Sequence, residues 1–143
     1  MKTLNQGFTL IEMLVVLVII GMLAGLVGPK LFTRVDTSKV QTAKAQIAMF
    51  KGSLETLRLD IGRFPNTEEG LALLNRAPSD ERLRGRWHGP YLDQDVPLDP
   101  WINPYQYSVP GANGQPFALY SLGGDGKKGG EGIDADVGFL PPQ

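Results

Sequence analysis

The chain of 143 residues contains no cysteine, so neither a disulfide nor a cysteine-based metal site can form, and thiol usage says nothing of the compartment. Its single histidine, His88, argues against a histidine-based metal cluster and against a Ser-His-Asp arrangement. No charge sign dominates. The formal net charge is −1 and the isoelectric point is about 5.8, which leaves no nucleic-acid footprint. Charge is missing altogether from residues 13–29. Glycine (18 residues) and proline (11) concentrate after residue 62, so a helix-friendly front precedes a turn-rich back. The length suffices for one domain of ordinary size with its own core.

Residues 8–29 form an apolar run of 22, interrupted only by Glu12. As a helix, at about 1.5 Å per residue, this run reaches roughly 33 Å, enough to cross the hydrocarbon of a bilayer. A cleaved secretory signal would also explain Lys2, the apolar middle and the small residues Ala24, Gly25 and Gly28. Such a signal has no use for Glu12. Orientation does not follow from charge, because Lys2 and the amino terminus face Lys30, Arg34 and Lys39 across the run.

The segment Phe8-Thr9-Leu10-Ile11-Glu12, preceded by Gly7 and a short polar leader, resembles the signature of type IV pilins and type II secretion pseudopilins. The resemblance implies a cut between Gly7 and Phe8 by a prepilin peptidase, N-methylation of Phe8, and retention of the apolar segment as anchor. It divides the chain into a leader (1–7), a transmembrane and assembly helix (8–30) and a periplasmic domain (31–143). It also implies that Glu12 meets the amino terminus of a neighbouring subunit. An amine and a carboxylate attract strongly in low dielectric, and leaving either unpaired is costly. The pair would set one axial stagger between otherwise apolar helices. The alternative is that Glu12 pairs with its own terminus or reaches the headgroups.

Beyond Pro29 the pattern becomes periodic. Val40, Ala43, Ile47, Phe50, Leu54, Leu57 and Ile61 follow at spacings of 3, 4, 3, 4, 3 and 4, which predicts an amphipathic helix with one buried stripe. Lys39, Lys44, Lys51, Glu55 and Arg58 fall between them as a solvated face. Gly62 and Pro65 supply the stop, and Gly21, Gly25, Gly28 and Pro29 are expected to loosen or kink the helix. Residues 64–78 read as a short second helix capped by Asn66 or Thr67, with Glu68 and Glu69 at its positive end and Leu71 and Leu74 inward. Residues 79–104 read as a solvated loop despite Arg82, Arg84 and Arg86, since Asp80 and Glu81 adjoin them. "YQYSV" (105–109) and "FALYSL" (117–122) alternate as strands around the turn residues 110–114. A hairpin extended by one further short strand follows. The expected class is α+β: a long amino-terminal helix, half transmembrane and half amphipathic, packed on a small antiparallel sheet with a carboxy-terminal ion-binding loop, as in type IV pilin-like proteins.

"PLDPWINPYQYSVPG" (97–111) and "LYSLGGDGKKGGEGIDADVG" (119–138) narrow the resemblance to the major pseudopilins of type II secretion. The ending "GFLPPQ" departs from the short Asn-Trp type tail common in that family. From 123 to 138 the chain carries seven glycines with Asp125, Glu131, Asp134 and Asp136. Gly124, Gly126 and Gly129 match a dinucleotide fingerprint in spacing only, because no helix follows and the acids would repel a pyrophosphate. Hard oxygen ligands on a flexible backbone suit calcium, although the spacing is not that of an EF-hand. The family resemblance implies calcium bound here by Asp125 and Asp136, with Asp134 and the Leu122 carbonyl as further ligands and Glu131 a weaker candidate. A solvated acidic loop without an ion is the plain alternative.

The resemblance implies a non-enzymatic role as main subunit of a type II secretion pseudopilus, a periplasmic fibre that helps push folded exoproteins across the outer membrane. Implied partners are further copies of the chain, minor pseudopilins, an inner-membrane assembly platform with its cytoplasmic ATPase, and the prepilin peptidase. The implied location is the inner membrane, crossed once. Two other readings remain at this point: a type IV pilin for adhesion, motility or DNA uptake, and an anchored periplasmic hydrolase using Asp134, Asp136 or His88.

Overall fold

Apolar spacing dictates the first element. In the computed structural model, which describes residues 7–143, helix α1 spans Leu10–Ile61, 52 residues including Pro29. The helix continues through Pro29, and the Thr33 hydroxyl donates to the Pro29 carbonyl at 3.1 Å. It stops at Gly62, whose φ of 86° is accessible to glycine and whose N–H closes the last turn on the Arg58 carbonyl at 2.8 Å. The chain divides between Asp36 and Thr37 into two compact units. In the first, every large apolar side chain from Phe8 to Val35 is exposed, and the helix is long and apolar enough to cross a membrane.

The second unit, Thr37–Gln143, holds the core. Ala43, Ile47, Phe50, Leu54, Leu57 and Ile61 of α1 are buried, with Val40 packed at the margin. The stripe read from the sequence is therefore the core face. Burying each large member is worth about 1.5–3 kcal/mol. Opposite them lie Leu71, Leu73, Leu74, Leu92, Tyr105, Phe117, Leu119 and Val137. Phe50 meets Tyr105 edge-on at 5.1 Å between ring centres, and the Tyr105 hydroxyl donates to Gln46.

The sheet has three antiparallel strands in the order β1 (Gln106–Ser108), β2 (Ala118–Ser121), β3 (Val137–Phe139). The hairpin and its additional strand are as expected, with Tyr107 opposite Leu119 and Ser121 opposite Val137. All four residues of β2 are buried, so the central strand is covered on both faces. Leu119 joins the core. Tyr120, on the other face by alternation, borders the tail residues Leu140, Pro141 and Pro142. The tail is tied down by the Ala112 N–H on the Leu140 carbonyl at 3.0 Å.

Two expectations need correction. The second helix is a 3₁₀ helix of five residues, Gly70–Leu74. Asn66 and Glu69 do form a reciprocal cap, at 2.7 and 2.9 Å, but it closes the turn ahead of that helix. Glu69 also pairs with Arg63 through two bonds of 2.7 and 2.9 Å. Residues 79–104 are not wholly loop: a four-residue helix α2, Glu81–Arg84, is capped by the Asp80 side chain, which accepts the Arg82 N–H at 2.9 Å.

Candidate functional site

At the amino-terminal site, residues 7–9 precede the helix in non-helical backbone. Among the described residues nothing lies within 4 Å of where a side chain would begin on Gly7, and Phe8 is exposed. Glu12 is engaged within its own chain. Its carboxylate accepts the Thr9 N–H at 2.8 Å, while the Glu12 N–H donates to the Thr9 hydroxyl at 3.3 Å. This is a capping box, which satisfies two of the amide donors that a helix start leaves open. Thr9 was missed in the sequence reading, although Thr-x-x-Glu ahead of an apolar run is its signature.

The glycine- and aspartate-rich segment, residues 122–136, closes the β2–β3 hairpin above the Ser121–Val137 pair. Its limbs are joined by the Gly124 N–H on the Ile133 carbonyl at 2.8 Å and by the Gly129 N–H on Asp136 Oδ2 at 3.0 Å. Asp134 lies against the first limb: a Cβ on Gly124 would come within 2.8 Å of its Oδ1. At Gly123, φ is 69° and a Cβ would sit 2.6 Å from the Ala135 carbonyl oxygen, so only glycine fits. Asp136 Oδ1 is buried and has no hydrogen-bond partner among the described residues. Asp125 is exposed and accepts the Lys127 N–H at 3.0 Å, and Glu131 is exposed.

Among the described residues no three His, Asp or Glu side chains converge as a ready metal cluster. An ion here would need backbone carbonyls beside carboxylates, a mixture that suits calcium. The orphaned Asp136 oxygen and the close glycine backbone around Asp134 fit that donor set. Buried carboxylate oxygens ordinarily have partners.

One further acid was not singled out from the sequence. Asp99 is 4% exposed. Its Oδ1 accepts the Trp101 N–H at 3.0 Å and the Asn103 N–H at 2.8 Å, and its Oδ2 accepts the Ser121 hydroxyl. The Ser121 oxygen in turn accepts the Gly123 N–H at 3.1 Å. An aspartate followed by proline in "PLDPW" signals a side-chain-closed turn, but its partner on β2 is not legible from local spacing.

His88 lies 3.7 Å from Asp60. The Asp60 carboxylate also accepts the Tyr91 hydroxyl at 2.6 Å, and burial raises the Tyr91 pKa above the usual phenol range.

The long helix, the three-stranded sheet and the amino-terminal motif together define a type IV pilin-like subunit, and the exposed apolar helix fits a membrane-anchored one. Residues 30–139 match the family described as Type II secretion system (T2SS), protein G, and residues 2–28 match the prokaryotic N-terminal methylation motif. The chain belongs to the type II secretion system protein G family. It is 46% identical over 134 residues to the type II secretion system core protein G of Pseudomonas aeruginosa, covering 94% of each chain. It is 39% identical over 134 residues to that of Vibrio cholerae, covering 94% of this chain and 90% of the other. Among solved structures, it resembles the major pseudopilin from the type 2 secretion system of enterohaemorrhagic Escherichia coli, with a TM-score of 0.62 and 29% identity over 77% of this chain and 93% of that one. The family is one of structural subunits.

Proposed function

We propose that the chain is the repeating major subunit of a type II secretion pseudopilus, matured by cleavage between Gly7 and Phe8. One observation carries this beyond family membership: every large apolar side chain from Phe8 to Val35 is exposed. A helix so uniformly apolar must be covered by lipid before assembly and by copies of itself afterwards. Non-helical backbone at Gly7 suits a peptidase that grips an extended chain. The cut creates an amine on Phe8, which is then methylated. Glu12 lies four residues on, about 6 Å along the axis, and pairs with the amine of a neighbouring copy to set the stagger.

The apolar helix resides in the inner membrane, and residues 31–143 form a periplasmic domain. Other copies, minor pseudopilins, the assembly platform with its cytoplasmic ATPase and the prepilin peptidase are the partners. The fibre helps push folded exoproteins across the outer membrane. The chain serves as a structural piece and carries no reaction of its own.

Calcium is the proposed ligand of residues 122–136, held by the Leu122 carbonyl and the side chains of Asp125, Asp134 and Asp136. Bound there, calcium would offset the repulsion of the clustered carboxylates. The glycines let the two limbs approach, and Asp136 supplies the oxygen that lacks another partner.

The test of function is deletion of the gene from its own host. Exoproteins should accumulate in the periplasm, and secretion should return with the wild-type gene but not with Glu12→Ala. Undiminished secretion in the deletion strain would overturn the proposal.

A further inference from the structure

The buried acid of the 97–104 segment has both carboxylate oxygens committed, to different parts of the fold. Oδ1 closes its own turn through the Trp101 and Asn103 amides. The turn is closed a second time by the Asp99 N–H on the Asn103 carbonyl at 2.8 Å and the Ile102 N–H on the Asp99 carbonyl at 2.9 Å. Oδ2 reaches across 22 positions of sequence to the Ser121 hydroxyl, and Ser121 is fully buried. A hydroxyl whose proton is given to a carboxylate offers its lone pairs elsewhere, and here one receives the Gly123 N–H at 3.1 Å.

That last bond has a geometric consequence. The Gly123 N–H and the Leu122 carbonyl belong to one peptide unit, which is planar and trans. Fixing the direction of the N–H therefore fixes the carbonyl in the opposite direction. With the N–H held on the Ser121 hydroxyl, the Leu122 oxygen points away from that hydroxyl. The same turn lies against the first limb of the glycine loop at two more points. A Cβ on Gly124 would sit 3.3 Å from Trp101 Nε1, and one on Gly126 would sit 3.4 Å from Asn103 Nδ2.

We infer that Asp99 is the positioning residue of the calcium loop, acting through Ser121 and the Gly123 amide to aim the Leu122 carbonyl, with Trp101 and Asn103 as the surface on which the first limb is laid. The inference rests on the calcium reading of residues 122–136. It assigns Asp99 no contact with the ion. A loop with six glycines has a large conformational entropy to lose, and a carbonyl already aimed lowers what calcium must organise. Partners behind a ligand commonly govern metal affinity by about 10- to 100-fold.

The experiment is calcium titration calorimetry on the full chain in detergent micelles, with thermal melts of the same proteins in chelator. The variants are Ser121→Ala, Asp99→Asn, their combination, and Leu57→Ala as a measure of general destabilisation. Ser121→Ala keeps the Asp99 turn and removes only the relay, so it carries the test if Asp99→Asn does not fold. The expected result is a loss of calcium affinity of about tenfold or more in Ser121→Ala and Asp99→Asn. The combination should be no weaker than the worse single variant, since both break one chain of contacts. Leu57→Ala should melt earlier in chelator and bind calcium as wild type does. Wild-type affinity in Ser121→Ala would overturn the inference while leaving the calcium reading intact, as would equal losses in Ser121→Ala and Leu57→Ala. Absence of calcium binding by the wild-type chain would overturn both.

Discussion

The Thr9 amide donates to the Glu12 carboxylate across 2.8 Å, and the Glu12 amide donates back to the Thr9 hydroxyl at 3.3 Å. This reciprocal pair gives a lone subunit a local partner for an acid that stands at the head of an apolar run. Among apolar surroundings an unpaired carboxylate is costly, and the amide N–H groups of a helix start are natural donors to a negative charge. In the proposed fibre the neighbour's Phe8 amine competes with this local bond. On that proposal Glu12 is housed twice, once alone and once assembled.

Glu12→Ala is expected to be cleaved, methylated and inserted, because losing a charge from an apolar span eases insertion. Loss of the cap costs helix stability by about 1 kcal/mol, too little to unseat a membrane helix. Assembly should fail for want of the partner to the Phe8 amine. Electron microscopy and sedimentation of sheared fractions are the readout; wild-type fibre yield from Glu12→Ala would exclude a stagger-setting role.

Glu69 makes the domain's stability depend on acid. The two bonds from Arg63, with that from the Asn66 amide, hold its carboxyl below the usual range. A depressed carboxyl contributes stability above its unfolded pKa, about 4.3, and loses it as the pH falls through the lower folded value. Arg63 is partly exposed, so the pair is worth about 1 kcal/mol or less. Glu69→Gln should melt earlier than wild type at pH 7 and nearly with it at pH 2. A gap that stays constant across that range would show that the charge contributes nothing.

Ile102 has φ of 69° and is 78% exposed. A β-branched residue in the left-handed region is strained by about 1–2 kcal/mol, and the surrounding turn over-determines the conformation through the bonds to Asp99. Ile102→Gly removes the strain and no core contact, at a cost of about 0.5–1 kcal/mol in unfolded-chain entropy. The net expectation is a higher melting temperature, by up to about 1 kcal/mol of stability. A lower one would mean the exposed side chain makes a contribution that its burial does not reveal.

How far the sequence revealed this molecule varied with the range of the forces involved. The stripe from Val40 to Ile61 was legible because helical periodicity is local and repeated many times. The 64–78 segment was read one step too far, because an Asn-x-x-Glu cap precedes either an α-helix or a single turn. At Gly70 φ is 55°, so α-helical geometry cannot run through it. Helix α2 escaped notice because Glu81–Arg84 carries mixed charge and no apolar period. Asp99 was invisible for a different reason. Its turn is local, but the Ser121 hydroxyl that gives it consequence comes from another strand. Asp136 was named as a ligand by resemblance alone; its unpartnered buried oxygen is a property of the folded loop.

Calcium should stabilise the wild-type chain against heat, relative to chelator, by about 2.7 kcal/mol when its free concentration is a hundredfold above the dissociation constant. Magnesium should substitute poorly, since it prefers a small octahedral shell and gives up water reluctantly. Asp136→Asn and Asp125→Ala should each blunt the shift. An unchanged midpoint in wild type would remove calcium from the account, and an undiminished shift in Asp125→Ala would remove that residue from the ligand set.

The most direct test of the account as a whole is the intact mass of the protein extracted from inner membranes of its own host. A maturing pseudopilus subunit should begin at Phe8, lack residues 1–7, and carry one added methyl group, with the apolar helix retained. A full-length mass, or a chain cut after the small residues at 24–28, would contradict it.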